Sequence, residues 1–211
     1  VRKSDPAVPA VPTEGCVRLV REKRLLVSLV TWNDELFLAG CLEALARQTV
    51  PVTVRIHDNA STDGTVEIAR GCGADVRLNS TNRGYAAGHN LNLRARGFDY
   101  ALLLNADVKL APDYIRHLLA EMESRREVGM AGGKLLRMDP EGRRTLHQGV
   151  PVLDSTGIYF TPSQRHFDRG SGLPDRGQYD VPQFVFGVTG AAVLCRRSLV
   201  DDLEERSGEF L

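Results

Sequence analysis

Three short apolar runs, each ending in a polar turn, constrain the fold of this chain more than any other feature of its 211 residues. Leu25–Val30, Val52–His57 and Tyr100–Leu104 have the length of buried strands. A nearly continuous Leu/Val run such as Leu25–Val30 suits a parallel sheet covered on both faces, because a half-exposed strand would alternate polar and apolar residues. Helical patterns separate the runs. After Trp32-Asn33-Asp34, the residues Leu38, Leu42 and Leu45 recur at helical spacing; Asp34 is placed to cap that helix and Gln48 lies near its end. Val52–His57 is followed by a short helix, Thr65–Arg70, then by a turn with Gly71 and Gly73, then by a strand, Ala74–Leu78. A helix across roughly Ala87–Arg96 leads into Tyr100–Leu104, and Pro112 suits the first position of a helix running to about Ser124. This alternation predicts right-handed βαβ crossovers and an α/β fold with a doubly wound, mostly parallel sheet.

The flanks read differently. Residues 1–24 form a flexible leader interrupted by Pro6, Pro9 and Pro12, without the apolar core of a secretion signal. Residues 25–128 make the first half of the domain, and 129–211 a second part of the same domain built in another style. There Met130–Met138 and Leu146–Phe160 look like shorter strands. Thr161–Tyr179 is rich in Gly, Pro, Arg and Asp with no periodicity, which fits either a functional loop or a partly disordered one. Phe184–Phe186 and Val188–Cys195 surround Gly187 and Gly190, and Ser198–Arg206 is a final helix.

Bulk properties narrow the partners. Lys plus Arg and Asp plus Glu number 27 each, so net charge gives no reason to expect nucleic acid or an anionic membrane. No window approaches the roughly 18 uninterrupted apolar residues of a membrane-spanning helix. Cys16, Cys41, Cys72 and Cys195 are scattered, with no C-x-x-C pair and no His at ligand spacing. They read as reduced thiols of a cytoplasmic protein and argue against zinc.

In an open parallel sheet, ligands bind beyond the carboxyl ends of the strands. Thr31-Trp32-Asn33, Asp58-Asn59-Ala60-Ser61 and Asn105-Ala106-Asp107 would gather there, at one edge. A carboxylate at Asp58 can accept a hydrogen bond from the ring N–H of a uracil or thymine; it can equally do no more than close an Asx-turn. Ser61, Thr62 and Asp63 read as helix caps rather than ligand contacts. Asp107 is the candidate metal ligand, since a diphosphate needs a hard cation and Mg2+ or Mn2+ would take a carboxylate with phosphate oxygens and waters. Asn105 can add a neutral oxygen or hold a sugar hydroxyl, although an ordinary Asn/Asp turn explains the pair as well. In the stretch Asn82–Asn90, Gly84 and Gly88 would let backbone approach a ligand, and Arg83 offers a cationic fork for phosphate; a plain loop–helix junction fits too. The stretch is neither a GxGxxG nor a Walker loop, so it supports neither a dinucleotide nor an ATP site. The small residues of Gly187-Val188-Thr189-Gly190-Ala191-Ala192 either line an acceptor pocket or permit close packing.

Taken in order and spacing, Val27–Asn33, His57–Thr65, Asn82–Asn90, Leu103–Asp107 and Phe186–Ala192 resemble glycosyltransferase family 2. The resemblance implies a GT-A fold: a Rossmann-like sheet with a smaller, mixed β region on the acceptor side. It implies transfer of a sugar, with inversion, from a nucleotide-diphosphate donor. On this likeness Asp58 reads the base and Thr31 and Asn33 lie against the nucleoside. Arg83, Gly84, Gly88 and Asn105 complete the nucleotide-sugar site, Asp107 holds the Mg2+ or Mn2+, and Gly187, Thr189 and Gly190 face the acceptor. Asn105 stands where the family's D-x-D motif begins, as in its rhamnosyltransferase-like branch, which adds dTDP-rhamnose to the expected dTDP- or UDP-sugar donors. The implied acceptor is a glycan or lipid-linked hydroxyl in surface polysaccharide or glycolipid synthesis, with the protein in the cytoplasm or peripherally at the inner membrane face. The family's general base belongs to an acidic pair beyond a Gly-Glu-Phe segment, whereas this sequence stops at Gly208-Glu209-Phe210-Leu211. Asp201, Asp202, Glu204 and Glu205 read as a solvated helix face. The catalytic residue is therefore unknown, and the chain is expected to be truncated. Two rival readings stand beside this one. A nucleotidyltransferase would want a Gly-rich loop after the first strand, where Thr31-Trp32-Asn33-Asp34-Glu35 is acidic and Gly-free. A non-catalytic, transferase-like domain would bind nucleotide or dock a partner.

Overall fold

The structure, a computed structural model, describes residues 24–211. Apart from Arg24, the leader read over 1–24 lies outside the described residues, as does Cys16. The first half alternates as β1 (Leu25–Thr31), α1 (Glu35–Ala46), β2 (Thr53–Asp58), α2 (Thr65–Gly71), β3 (Asp75–Leu78), α3 (Tyr85–Leu93), β4 (Tyr100–Leu104) and α4 (Tyr114–Ser124). The second part contributes β5 (Met130–Ala131), β6 (Leu135–Leu136), β7 (Leu146–His147), β8 (Val150–Pro151), β9 (Leu153–Ser155), β10 (Ile158–Phe160) and β11 (His166–Asp168). It closes with β12 (Ala192–Arg196) and α5 (Arg197–Ser207).

The main sheet has the order β3-β2-β1-β4-β12-β5. Its first four strands are parallel, and β12 runs antiparallel between β4 and β5. Every residue of β4 is buried, and in β1 only Val30 is partly open. The continuous apolar runs are thus the two-sided central strands that such runs suit. One face carries Leu38, Leu42 and Leu45 of α1 with Ile115, Leu118 and Met122 of α4. The other carries Leu93 of α3, Val200 of α5 and Phe210.

Several boundaries depart from the sequence expectation. Helix α3 starts at Tyr85 rather than Ala87, because Gly84 adopts φ 81°, ψ 173°, a region open essentially to glycine alone, and turns the chain into the helix there. Pro112 does not open α4; it sits in a preceding turn closed by Tyr114 N–H to Ala111 O at 3.0 Å. Asp34 occupies the N-cap position of α1 without capping it, since its carboxylate turns back to the Trp32 N–H at 2.9 Å. Asp63 takes the Glu35 N–H instead, at 3.2 Å.

Met130–Met138 is not one strand. At Gly132 a Cβ would come within 2.2 Å of Val188, and at Gly133 within 2.6 Å of Tyr114, so the chain leaves the sheet through a tightly packed Gly-Gly. Leu146–Phe160 is likewise divided into short ladders. Thr161–Tyr179 is neither uniform coil nor disorder: it holds β11 and is tied down by backbone bonds such as Arg169 N–H to Gly157 O (2.8 Å) and Gly172 N–H to Leu153 O (2.9 Å).

Candidate functional site

The sheet order makes the site. Strand β1 lies between β2 and β4, so the path of the chain reverses across it, and such a switch point leaves a crevice at the carboxyl ends of the strands. Thr31 pairs with Asp58, and Leu29 with Leu104. The loops after β1, β2 and β4 therefore share one edge.

The first two loops are laced together by side chains. Asp58 is only 2% exposed. Its Oδ2 accepts the hydroxyls of Thr31 (2.9 Å) and Ser61 (2.5 Å), and its Oδ1 accepts the Ser61 N–H (2.9 Å), so the Asx-turn is present. Asn33 Oδ1 accepts the Thr62 N–H at 2.8 Å, while the Asn33 N–H donates to Ser61 Oγ at 2.9 Å. Asn33 and Ala60 both hold positive φ, 56° and 63°, a conformation that persists for such residues only where the surroundings enforce it. Ser61 and Thr62 thus join loops rather than cap a helix. Asp63 does serve helix ends, accepting the Thr65 N–H at 3.1 Å besides that of Glu35.

Beyond this lacing opens a cleft of about 230 Å³, lined by Val30, Thr31, Trp32, Asp34, Asn59, Asn82, Gly84 and Tyr85. Trp32 and Tyr85 stay 56% and 42% exposed there, high values for rings. Asn59 is buried; it accepts from Asn79 Nδ2 (2.8 Å), donates to Gly84 O (3.2 Å), and so fixes the Asn82–Gly84 wall. Sequence reading passed over Trp32, Asp34, Asn59, Asn82 and Tyr85 as site residues. Their only signal is their place in or beside the polar turns after β1 and β2 and in the Asn82–Asn90 stretch, which does not say which side chains face outward. Arg83 is exposed, with no ion pair among the described residues. Gly88 faces inward: a Cβ there would meet both Val30 methyls at 2.7 Å, so its small size serves the contact of α3 with β1.

Across the edge, the Asn105 N–H donates to Ala191 O at 2.9 Å and Asp107 is exposed. The Asp34 carboxyl is held above its ordinary range, first by burial and then by the negative charges of Asp107, Asp63 and Asp58. Among the described residues no three His, Cys, Asp or Glu side chains converge on a common metal position. A cation here would need oxygens from a ligand, and the accumulated negative charge suits one that brings them.

The acceptor-side candidates divide. Gly190 O accepts the Tyr85 hydroxyl at 2.6 Å, which joins it to the cleft wall. Thr189 Oγ1 accepts the Ala191 N–H at 3.4 Å, and Gly187 O accepts from Ile158 of β10 at 2.9 Å. His89 is fully buried with Nδ1 2.7 Å from Ser28 Oγ, and burial pushes its pKa down to about 3. It is a neutral core histidine. Cys41 and Cys195 are buried, with thiols pushed up to about 12 by burial, and Cys72 is exposed.

Comparison with known proteins agrees with this architecture. The mannosyltransferase PcManGT from Pyrobaculum calidifontis, solved with GDP-Man and Mn2+, superimposes with a TM-score of 0.58 at 19% identity, over 87% of this chain and 47% of its own. S. aureus TarS 1-349 in complex with UDP gives a TM-score of 0.58 at 17% identity, over 86% of this chain and 49% of its own. This chain thus spans about half the length of either. A direct sequence comparison with curated proteins finds no match. Among the described residues no helix is long and apolar enough to cross a membrane. The fold is GT-A, and the family model for Glycosyl transferase family 2 matches residues 27–203, most of the sequence: the chain belongs to that family.

Proposed function

We propose that the cleft binds a nucleotide-diphosphate sugar, with a dTDP- or UDP-sugar as donor class and dTDP-rhamnose as the first candidate. The protein carrying this domain would transfer the sugar with inversion to a hydroxyl of a glycan or lipid-linked acceptor in surface polysaccharide or glycolipid synthesis. The observation carrying the reading is an open, partly aromatic cleft walled by the loop after β1, by Asn59 and by Asn82–Tyr85, at the sheet edge that the Asn105–Asp107 turn shares. Asp58 Oδ1 has accepted one N–H and keeps a lone pair for the ring N–H of a pyrimidine base. Arg83, unpaired among the described residues, suits the diphosphate.

Mg2+ or Mn2+ would fit beside Asp107, because the negative charges of Asp107, Asp63 and Asp58 all bear on the Asp34 carboxyl and a ligand diphosphate would complete the coordination. When bound, the cation would stabilise the diphosphate leaving group as a Lewis acid. Asp107 would hold it and Asn105 would orient the sugar. The acceptor hydroxyl must lose its proton as it attacks C1, and that base stays unassigned.

Thermal shift tests the reading. UDP or dTDP at about 100 times Kd, with Mn2+, should stabilise the protein by about 2.7 kcal/mol, a rise in Tm of roughly 5–10 °C for a chain of this size. Asp58→Ala should abolish the shift, and Asp107→Asn should remove its dependence on Mn2+. A wild-type Tm unmoved by millimolar nucleotide and Mn2+ overturns the proposal.

A further inference from the structure

Tyr85 belongs to two parts of the molecule at once. Its ring lines the cleft beside Trp32 and Gly84. The ring also stands edge-on to His89, centroids 4.3 Å apart and planes at 65°, and His89 is in turn held 2.7 Å from Ser28 of β1. Its hydroxyl reaches the other way, donating at 2.6 Å to Gly190 O, 105 residues further along the chain. The next carbonyl, that of Ala191, accepts the Asn105 N–H at 2.9 Å, and Ala192 then enters β12 opposite Leu104. Two successive carbonyls are therefore gripped from two sides, by the start of α3 and by the Asn105–Asp107 turn.

The fit at Gly190 is close. A Cβ there would lie 2.9 Å from the Tyr85 hydroxyl oxygen, so the residue's lack of a side chain makes room for this bond. Burial pushes the phenol up to about 12, which keeps it a donor across the working pH range.

We infer that Tyr85 is a positioning residue: it couples occupation of the cleft to the set of the Gly190–Ala191 segment and, through Asn105, to that of the Asn105–Asp107 turn. The inference rests on the donor reading of the cleft. A ligand packed against the ring restricts its motion, and the hydroxyl carries that restriction to a segment no cleft ligand need touch. Coupling of this kind needs only that one ligand orders what the other site uses.

Amide hydrogen exchange on wild type, Tyr85→Phe and Gly190→Ala, with and without UDP or dTDP plus Mn2+, tests it. In wild type, nucleotide should slow exchange across residues 188–192 by about two- to tenfold, the range one net hydrogen bond allows. Tyr85→Phe keeps the ring and its His89 contact. With nucleotide at a concentration that saturates each variant by its own measured Kd, it should still protect the cleft loops, yet lose the protection of 188–192. Gly190→Ala, which crowds the hydroxyl, should lose it too. The double variant should be no less stable than Gly190→Ala alone, because phenylalanine lacks the oxygen that the new methyl meets. Equal protection of 188–192 in wild type and Tyr85→Phe overturns the coupling and leaves the donor reading standing. Failure of wild type to bind nucleotide overturns both.

Discussion

The half of the chain up to α4 and the part from β5 onward are held together by different means. In the first, β1 and β4 are apolar almost throughout and buried on both faces, and the polar residues collect in loops that bond to one another. In the second, most ladders are two or three residues long, and order comes from irregular backbone bonds and from ion pairs such as Lys134 with Asp175 at 2.8 Å. Phe160, Phe167, Phe184 and Phe186 all lie exposed there, two of them stacked on each other with centroids 4.6 Å apart. The difference teaches where stability and where adaptability reside. A continuous two-sided sheet fixes the cleft, whereas a turn-built region can vary its surface at little cost to the core.

The sharpest way to break this comparison is to truncate one large apolar residue in each part. Leu102, at the centre of β4, has no exposed surface. Leu102→Ala should cost about 3 kcal/mol, within the 2–5 kcal/mol typical of buried leucines. Phe184 is 72% exposed, with Arg125 stacked over its ring at 5.8 Å. Phe184→Ser should change stability by no more than about 0.5 kcal/mol despite removing a bigger side chain. Urea unfolding of both variants measures the contrast, and comparable losses would mean that the second part is as tightly cored as the first.

The same contrast explains what could be read from sequence. Hydrophobic runs announce burial, so β1, β4 and the alternation with α1 through α4 were legible, and with them the edge where the loops meet. The three loops carrying Thr31, Asp58 and Asn105 followed from strand ends alone. Which side chains face the cleft did not. Trp32 and Tyr85 are exposed because the adjoining loops turn at Asn33 and Gly84, and backbone torsions of that kind leave no periodic trace. Gly88 was read as a point of ligand approach because glycine permits close contact; its contact is with Val30. Between Met130 and Phe160 each short ladder is dictated by partners distant in sequence, such as Val188 against Gly132, and periodicity within one segment is blind to them.

That glycine gives the next test. A methyl at Gly88 would sit 2.7 Å from both Val30 methyls, and Val30 belongs to a central strand that cannot retreat. Gly88→Ala should therefore cost about 1–3 kcal/mol, the range for overpacking, even though alanine favours helix. Adding Val30→Ala should recover much of the loss, because the methyls that clash are removed. If Gly88→Ala is neutral while nucleotide binding weakens, its small size serves the ligand rather than the core, and the sequence reading of this residue regains its place.

The smallest expected effect concerns pH and the polar core beneath the cleft. His89 is buried, held to Ser28, and kept neutral by a pKa pushed down to about 3, against about 6.5 in the unfolded chain. Between those two values the unfolded state binds the extra proton, so stability is complete above about pH 6.5 and falls as pH drops towards 3. His57, lowered chiefly by its own burial, acts with the same sign. One such group contributes at most about 1.4 kcal/mol per pH unit, and about 1 kcal/mol on going from pH 6.5 to 5.5, where its unfolded-state titration is only partly complete. His89→Gln leaves an amide near Ser28 and removes the titration. Its stability at neutral pH should be lower than that of wild type, but its decline from pH 6.5 to 5.5 should be shallower by about that amount. Equal slopes for wild type and His89→Gln would mean that the histidine gains its proton without leaving the core, with Nε2, which has no hydrogen-bond partner among the described residues, able to reach water.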